Sequence, residues 1–201
     1  MTIAETPIRM VVRPDGPTRD LEAAEKAARA LLSALGVALD REGMAESPGR
    51  MARALAEMCT PRPFDATTFP NDRDYEQLVI ERRIPFESLC EHHMLPFTGM
   101  AYVAYLPGKR ILGLSKLARL VEWFAHGPQV QERLTQQIAD WLQENLRPKG
   151  VGVVLEAEHL CMSLRGARVD GAATLTSAVH GLLRDDARAR QEFFQLARVG
   201  R

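Results

Sequence analysis

Apolar positions recur with two different periods along the chain, and each period predicts a different type of secondary structure. From Thr18, apolar residues recur at steps of three and four, which predicts a helix that ends at Gly36. A second helix is predicted over residues 48–58, with Ser47 as its N-cap and Pro48 in its first turn. The same periodicity predicts later helices over residues 115–124, 130–146 and 185–197.

Strand patterns occupy the middle and the later part of the chain. Residues 99–106 alternate between two faces, and the turn pair Pro107-Gly108 follows them. The other predicted strands are residues 78–84, 151–157, 161–165 and 174–176. Because helices come first and further helices then interrupt a run of strands, the order favours an α+β fold over an alternating parallel one.

Length and composition indicate one globular domain. The chain has 201 residues, of which 46% are hydrophobic and 26% are charged. Residues 1–17 contain several prolines and predict a flexible N-terminal arm. We therefore expect a single domain over residues 18–201, with a helical part at 18–60 and a strand-rich part at 75–201 that carries the chemistry.

Charge and hydropathy exclude several classes of function. Lys plus Arg and Asp plus Glu both number 26, so the net charge is zero and nothing indicates nucleic-acid binding. No apolar run approaches the roughly 20 residues that a membrane span needs. Residues 1–12 lack the basic start and apolar core of a signal peptide, so a cytoplasmic location without a membrane partner is predicted.

The strongest chemical signal lies in the segments Cys90-Glu91-His92-His93 and His159-Leu160-Cys161. They use two of the three cysteines and three of the five histidines. Thiolate and imidazole are the ligands that zinc prefers, and three of them with an open fourth position are typical of a catalytic site. On a continuing strand, His159 and Cys161 would share one face. The residues alone leave the ligand set open, and the alternative is an inert buried cysteine with core histidines.

A basic segment opens the helix predicted at residue 115. Ser115 is a candidate cap there, and the free N–H groups of a helix start favour an anion. Lys116 and Arg119 are three residues apart, so both can cover one surface. Taken alone, the segment is better explained as a capped helix with a solvated basic face.

Two further polar positions are candidates for substrate binding. Gln131-Glu132 begins an amphipathic helix, and a carboxylate there can accept two N–H groups from a guanidine-like edge. Its plainer interpretation is stabilisation of the helix dipole. Arg165 would share the strand face of His159 and Cys161, and an arginine beside a metal indicates an anionic substrate; its alternative is an ordinary salt bridge.

Several long segments, in order along the chain, together resemble one known family. They are SLCEHHMLPF at 88–97, LGLSKLARLVE at 112–122, PQVQERLT at 128–135 and HLCM at 159–162. These segments closely resemble GTP cyclohydrolase I, and the similarity extends over roughly residues 18–197. It implies the tunnelling fold, an antiparallel sheet with helices on one side, whose subunits join into a pentameric barrel. Two pentamers would stack into a homodecamer with active sites between subunits.

The resemblance also assigns chemical roles to residues. It implies one zinc ion per subunit, and the matched ligands are Cys90, His93 and Cys161. The residues matched to proton transfer are His92, His159 and Ser115. Those matched to substrate binding are Gln131 and Glu132 for guanine, and Lys116, Arg119 and Arg165 around the ribose and triphosphate.

The implied reaction is zinc-dependent conversion of GTP to 7,8-dihydroneopterin triphosphate with release of formate. It is the first step of tetrahydrofolate and pterin biosynthesis. One alternative is a pathway-specific paralog that acts on a related purine or pterin. Another is a non-catalytic, zinc-stabilised oligomer, which would have no need to retain His92 and Lys116.

Overall fold

The structure, a computed structural model, describes residues 8–9 and 19–197. Contacts among these residues define two compact units, one formed by residues 19–60 and the other by residues 8–9 and 61–197. Most of the predicted N-terminal arm lies outside the described residues. Within the arm, Ile8–Arg9 form strand β1, which pairs antiparallel with β2 (Asp65–Ala66). No helix of residues 19–197 is long and apolar enough to cross a membrane.

The smaller unit consists of helices α1 (Leu21–Ala34) and α2 (Ser47–Met58). The Asp20 side chain caps α1 by accepting a hydrogen bond from the backbone N–H of Ala23, at 2.9 Å. An apolar groove of about 460 Å³ runs along the two helices. The prediction of Ser47 as N-cap of α2 was wrong, because Ser47 is the first helical residue and its hydroxyl contacts Met44 Sδ at 3.7 Å.

The larger unit is built on a five-stranded sheet. In spatial order its strands are β7 (Pro128–Gln129), β4 (Val79–Cys90), β5 (Pro96–Leu106), β8 (Gly150–His159) and β9 (Ala173–Gly181). Strands β4, β5, β8 and β9 are antiparallel neighbours, whereas β7 pairs parallel with β4. A separate antiparallel pair joins β3 (Thr68–Pro70) to β6 (Arg110–Leu112).

Helices pack on both faces of this sheet. On one face, α3 (Ser115–Ala125) and α4 (Gln131–Asn145) cover a core that includes Phe97, Val153 and Leu155. Tyr102 and Val154 alternate to the other face, where they pack with α6 (Leu182–Asp185) and α7 (Ala187–Leu196). The expectation of helices on one side is therefore corrected: it holds for the two inserted helices but not for the C-terminal pair.

Two predicted elements differ in the structure. The strand predicted over residues 161–165 was wrong, because β8 ends at His159 and the chain then forms the single helical turn α5 (Leu160–Ser163). A short apolar run has no period long enough to separate strand from helix. The C-terminal helix predicted from residue 185 is confirmed as α7, except that it begins after Asp186, whose carboxylate caps it. The backbone N–H groups of Ala189 and Arg188 lower the pKa of this carboxyl.

Candidate active site

The first half of the site is a tight turn after β4. Cys90 is the last strand residue, and its carbonyl accepts from the backbone N–H groups of His93 at 3.2 Å and Met94 at 2.8 Å. Met94 adopts a left-handed conformation with φ of 54°, which lets the chain reverse into β5. The turn brings His93 Nδ1 to 3.7 Å from Cys90 Sγ.

The second half is the junction of β8 and α5. His159 ends the strand and Cys161 lies in the helical turn, so the turn, and not a strand face, brings both toward Cys90. The two sulfur atoms are 3.8 Å apart. The ligand atoms of Cys90, His159 and Cys161 all lie within 4.8 Å of one another, so these residues can hold a metal ion.

The electrostatics of this cluster suit a divalent cation. Burial raises the pKa of the Cys161 thiol, and the neighbouring Cys90 raises it further, whereas the Arg165 guanidinium lowers it. A bound cation reverses this balance, because a coordinating thiol loses its proton outright. Two adjacent thiols with an imidazole match the donor set of zinc better than that of magnesium or calcium.

His159 is held within the core side of the sheet. Its ring stacks on Phe97, with ring centroids 4.6 Å apart and planes inclined by 4°. The two residues are direct partners across β5 and β8. Next to Phe97, Gly99 permits close strand packing, since a Cβ there would lie 1.9 Å from the carbonyl oxygen of Glu156. Burial lowers the pKa of His159, and the charge of Glu132 opposes this shift.

The structure separates the adjacent pair Gln131 and Glu132, which were both predicted to bind guanine. Gln131 is 1% exposed, and its Oε1 lies 2.8 Å from His159 Nε2. Glu132 is exposed to solvent. Consecutive residues of a helix point in directions about 100° apart, so the two side chains have different surroundings.

The predicted basic segment, which consists of Ser115, Lys116 and Arg119, lies at the start of α3. These three residues are called the α3 turn. Ser115 and Arg119 are exposed and Lys116 is half-buried. The expected capping by Ser115 was wrong, because Leu114 occupies the N-cap position and no side chain caps this helix. Among the described residues, no hydrogen bond or ion pair joins this turn to the cysteine–histidine cluster.

The remaining two predicted residues are exposed. The His92 side chain is 67% exposed, with Nε2 3.9 Å from a Glu91 carboxylate oxygen. Arg165 follows α5 and is therefore not on the strand face where the sequence placed it. The Arg165 guanidinium nevertheless lowers the pKa of the Cys161 thiol.

Sequence reasoning missed the residues that support the cluster. Phe97 stacks on His159, and Thr135 and Thr176 join a buried hydrogen-bond network around Gln131. Arg133 binds both the Glu91 carboxylate and Gln129 Oε1, the latter at 2.9 Å. The four-residue spacing of Gln131 and Thr135 was a readable signal, since such residues share a helix face.

Comparisons with known proteins agree with one another. The family model described as GTP cyclohydrolase I matches residues 24–198. GTP cyclohydrolase 1 of Aquifex aeolicus is 50% identical over 179 residues, which are 89% of this chain and 97% of that protein. GTP cyclohydrolase 1 of Corynebacterium glutamicum is 51% identical over 184 residues, 89% of this chain and 94% of that protein.

A solved structure gives a much weaker likeness. The apo form of the archaeosine synthase QueF-Like matches with a TM-score of 0.42 and 17% sequence identity. The match covers 52% of this chain and 93% of that chain. At that level it supports no inference about this protein.

Proposed function

This chain belongs to the GTP cyclohydrolase I family, and we propose that it converts GTP to 7,8-dihydroneopterin triphosphate with release of formate. This is the first step of tetrahydrofolate and pterin biosynthesis. The observation that carries the proposal is the meeting of Cys90, His159 and Cys161 in a chain whose family match spans residues 24–198. A paralog for another purine and a non-catalytic scaffold receive less support, since relatives about 50% identical are named for the GTP enzyme.

For the metal, we propose that Cys90, His93 and Cys161 hold one zinc ion per subunit. The two sulfur atoms are 3.8 Å apart, and His93 Nδ1 is 3.7 Å from Cys90 Sγ. His159 is the competing imidazole, since its ligand atom lies within 4.8 Å of both sulfur atoms and its hydrogen bond to Gln131 engages Nε2 alone. When bound, zinc supplies a Lewis acid that lowers the pKa of a water molecule to about 7.

We assign proton transfer to His159 and His92. His159 is held by stacking and by a hydrogen bond, as a general acid or base must be, and it exchanges a proton with the imidazole ring of guanine. The exposed His92, beside Glu91, serves the later rearrangement of the ribose together with Ser115.

Substrate binding is proposed for exposed charged side chains. Glu132 offers two carboxylate oxygens to the N–H groups of the guanine edge. Lys116, Arg119 and Arg165 supply positive charge for the triphosphate, and none of the three is fully buried. They hold the substrate without taking part in bond breaking.

The test is to incubate metal-analysed protein with GTP and to follow formate release together with pterin fluorescence after oxidation. Both signals are expected, with loss on chelation and recovery on addition of zinc. Formate without pterin would show that the ring opens but the ribose fails to rearrange, which would contradict the roles of His92 and Ser115. Absence of both signals from zinc-loaded protein would overturn the proposed function.

Assembly and location stay predictions. A homodecamer of two pentamers, with sites between subunits, rests on the family resemblance, as does the barrel of joined sheets. A mass measurement in solution tests the first, and a chain that is monomeric yet fully active would contradict it. The cytoplasmic location is likewise predicted from the sequence alone.

A further inference from the structure

The side chain of Gln131 is enclosed by hydrogen-bonding partners from this chain. Its Nε2 lies 3.2 Å from the carbonyl oxygen of Leu155, 2.9 Å from that of Thr174 and 3.1 Å from Thr176 Oγ1. Its Oε1 lies 2.8 Å from His159 Nε2. With 1% exposure and both ends engaged, the amide is held away from solvent by partners of this chain.

The partners fix which way the amide points. Backbone carbonyl oxygens only accept hydrogen bonds, so the NH₂ group of Gln131 must face Leu155 and Thr174. A flipped amide would set its oxygen against two carbonyl oxygens. Oε1 therefore faces His159, and because it only accepts, His159 Nε2 must carry the proton.

The two threonines supply an independent check on this assignment. Thr135 Oγ1 donates to the backbone carbonyl of Gln131 at 2.8 Å, which uses its one proton. In the 2.6 Å contact between the hydroxyls, Thr176 must then be the donor. The Thr176 oxygen is left to accept from Gln131 Nε2, in the direction that the carbonyls already require.

We propose that Gln131 is a positioning residue that fixes His159 as the Nε2–H tautomer and leaves Nδ1 as its basic nitrogen, and that Gln131 does not contact guanine. Phe97 stacks on the His159 ring and holds its plane, which complements the hydrogen bond between His159 and Gln131. The expected effect on GTP turnover rests on the proposed function, whereas the tautomer assignment does not.

Solid-state ¹⁵N NMR of metal-stripped protein labelled in histidine tests the tautomer at about pH 8, above the reference pKa of histidine. Signals of His159 are identified by their loss in His159→Asn. We expect a pyrrole-type Nε2 and a pyridine-type Nδ1 in the native chain, and a mixture of tautomers in Gln131→Met. A proton on Nδ1 in the native chain, or an unchanged tautomer in Gln131→Met, would overturn the proposal.

Thr176→Val provides a second variant, should Gln131→Met fail to fold. It removes one acceptor of the amide, so we expect a partial loss of the Nε2–H form, and recovery in Thr176→Ser. The matched control is Thr98→Val, an exposed threonine of β5 on the face opposite Phe97. A tautomer mixture in Thr98→Val equal to that in Thr176→Val would contradict the network.

Steady-state kinetics with GTP separate positioning from substrate contact. We expect Gln131→Met to lower kcat about 10- to 100-fold, the usual cost of losing a partner that orients a site histidine. KM should stay within about threefold, because no contact with bound substrate is lost. A KM raised tenfold with the tautomer intact would show a guanine contact instead. If the native chain does not turn over GTP, the proposed function fails, and the NMR result alone decides this inference.

Discussion

The cysteine–histidine cluster and the first turn of α3 are both proposed to act on one substrate, yet they are built differently. Cys90 and Cys161 are buried, and His159 is held by stacking and by a bonded amide. In the α3 turn, Ser115 and Arg119 are exposed and no side chain caps the helix. The comparison indicates that contacts within this chain hold the cluster in place, whereas Ser115 and Arg119 face solvent.

The difference in burial predicts a difference in effect size. A group fixed in a water-poor site loses its function when one of its partners is removed, because no solvent is present to replace that partner. Exposed cations act through a solvent that screens them, over a Debye length of about 8 Å at physiological salt. Variants of the cluster should therefore abolish function, and variants of the α3 turn should only weaken binding.

Cys161→Ser should have the largest effect, with zinc content and turnover lost together. The hydroxyl is a poorer zinc ligand than the thiolate it replaces. We expect turnover at background, beyond the roughly 100- to 10,000-fold cost of losing one proton-transfer group. Metal analysis and the pterin assay on the same sample measure both quantities.

Cys59→Ser is the matched control for that variant. Cys59 is half-buried at the end of α2 and lies in the other compact unit. It should keep both zinc and turnover. Full activity of Cys161→Ser without zinc would remove the basis for treating the cluster as a metal centre.

The next variants compare the two imidazoles beside Cys90. We expect His93→Ala to lose zinc, and His159→Ala to keep zinc while turnover falls by about 100- to 10,000-fold. Zinc content per chain and pterin formation distinguish these results. The opposite outcome, with zinc lost only from His159→Ala, would make the compact set Cys90, His159 and Cys161 the true ligand set.

Much of the fold could be predicted because its periodic segments are long. The alternation over residues 99–106 correctly marked β5 up to its last residue, and the helical period correctly marked α4. The segment after His159 was misassigned because one helical turn spans too few residues to show a period. Packing on the second face of the sheet depends on residues far apart in sequence, such as Tyr102 and Phe193, which belong to one apolar cluster.

The sequence predicted the chemical type of the site but not its geometry. Cysteine and histidine types pointed to the cluster, and the structure brings Cys90, His159 and Cys161 together. The role of Gln131 could not be read, because its partners include the backbone carbonyls of Leu155 and Thr174. Any residue type presents such a carbonyl, so only the register of β8 and β9 reveals that contact.

Substitutions in the α3 turn should give a smaller, binding-type effect. Lys116→Ala and Arg119→Ala each remove a cation proposed to contact the triphosphate, and such charged hydrogen bonds contribute about 1.5–3 kcal/mol. We expect kcat/KM to fall about 10- to 100-fold, mainly through KM, with zinc content unchanged. Lys26→Ala, in an exposed pair with Glu22, is the control and should have no effect. A fall in kcat alone would place these residues in the chemistry and break the contrast with the cluster.

The smallest expected effect concerns the support of the Cys90 turn. Arg133 is 45% exposed and links Glu91 in that turn to Gln129 of β7, through a bond of 2.9 Å to Gln129 Oε1. Because solvent screens the ion pair, Arg133→Ala should cost about 1 kcal/mol, or roughly 2–4 °C in the thermal midpoint. Lys26→Ala breaks a more exposed pair and should shift the midpoint less. Thermal unfolding of the zinc-loaded chains measures both shifts. Equal shifts would mean that the turn is held by its backbone bonds alone, and that the support of the cluster lies entirely in buried groups.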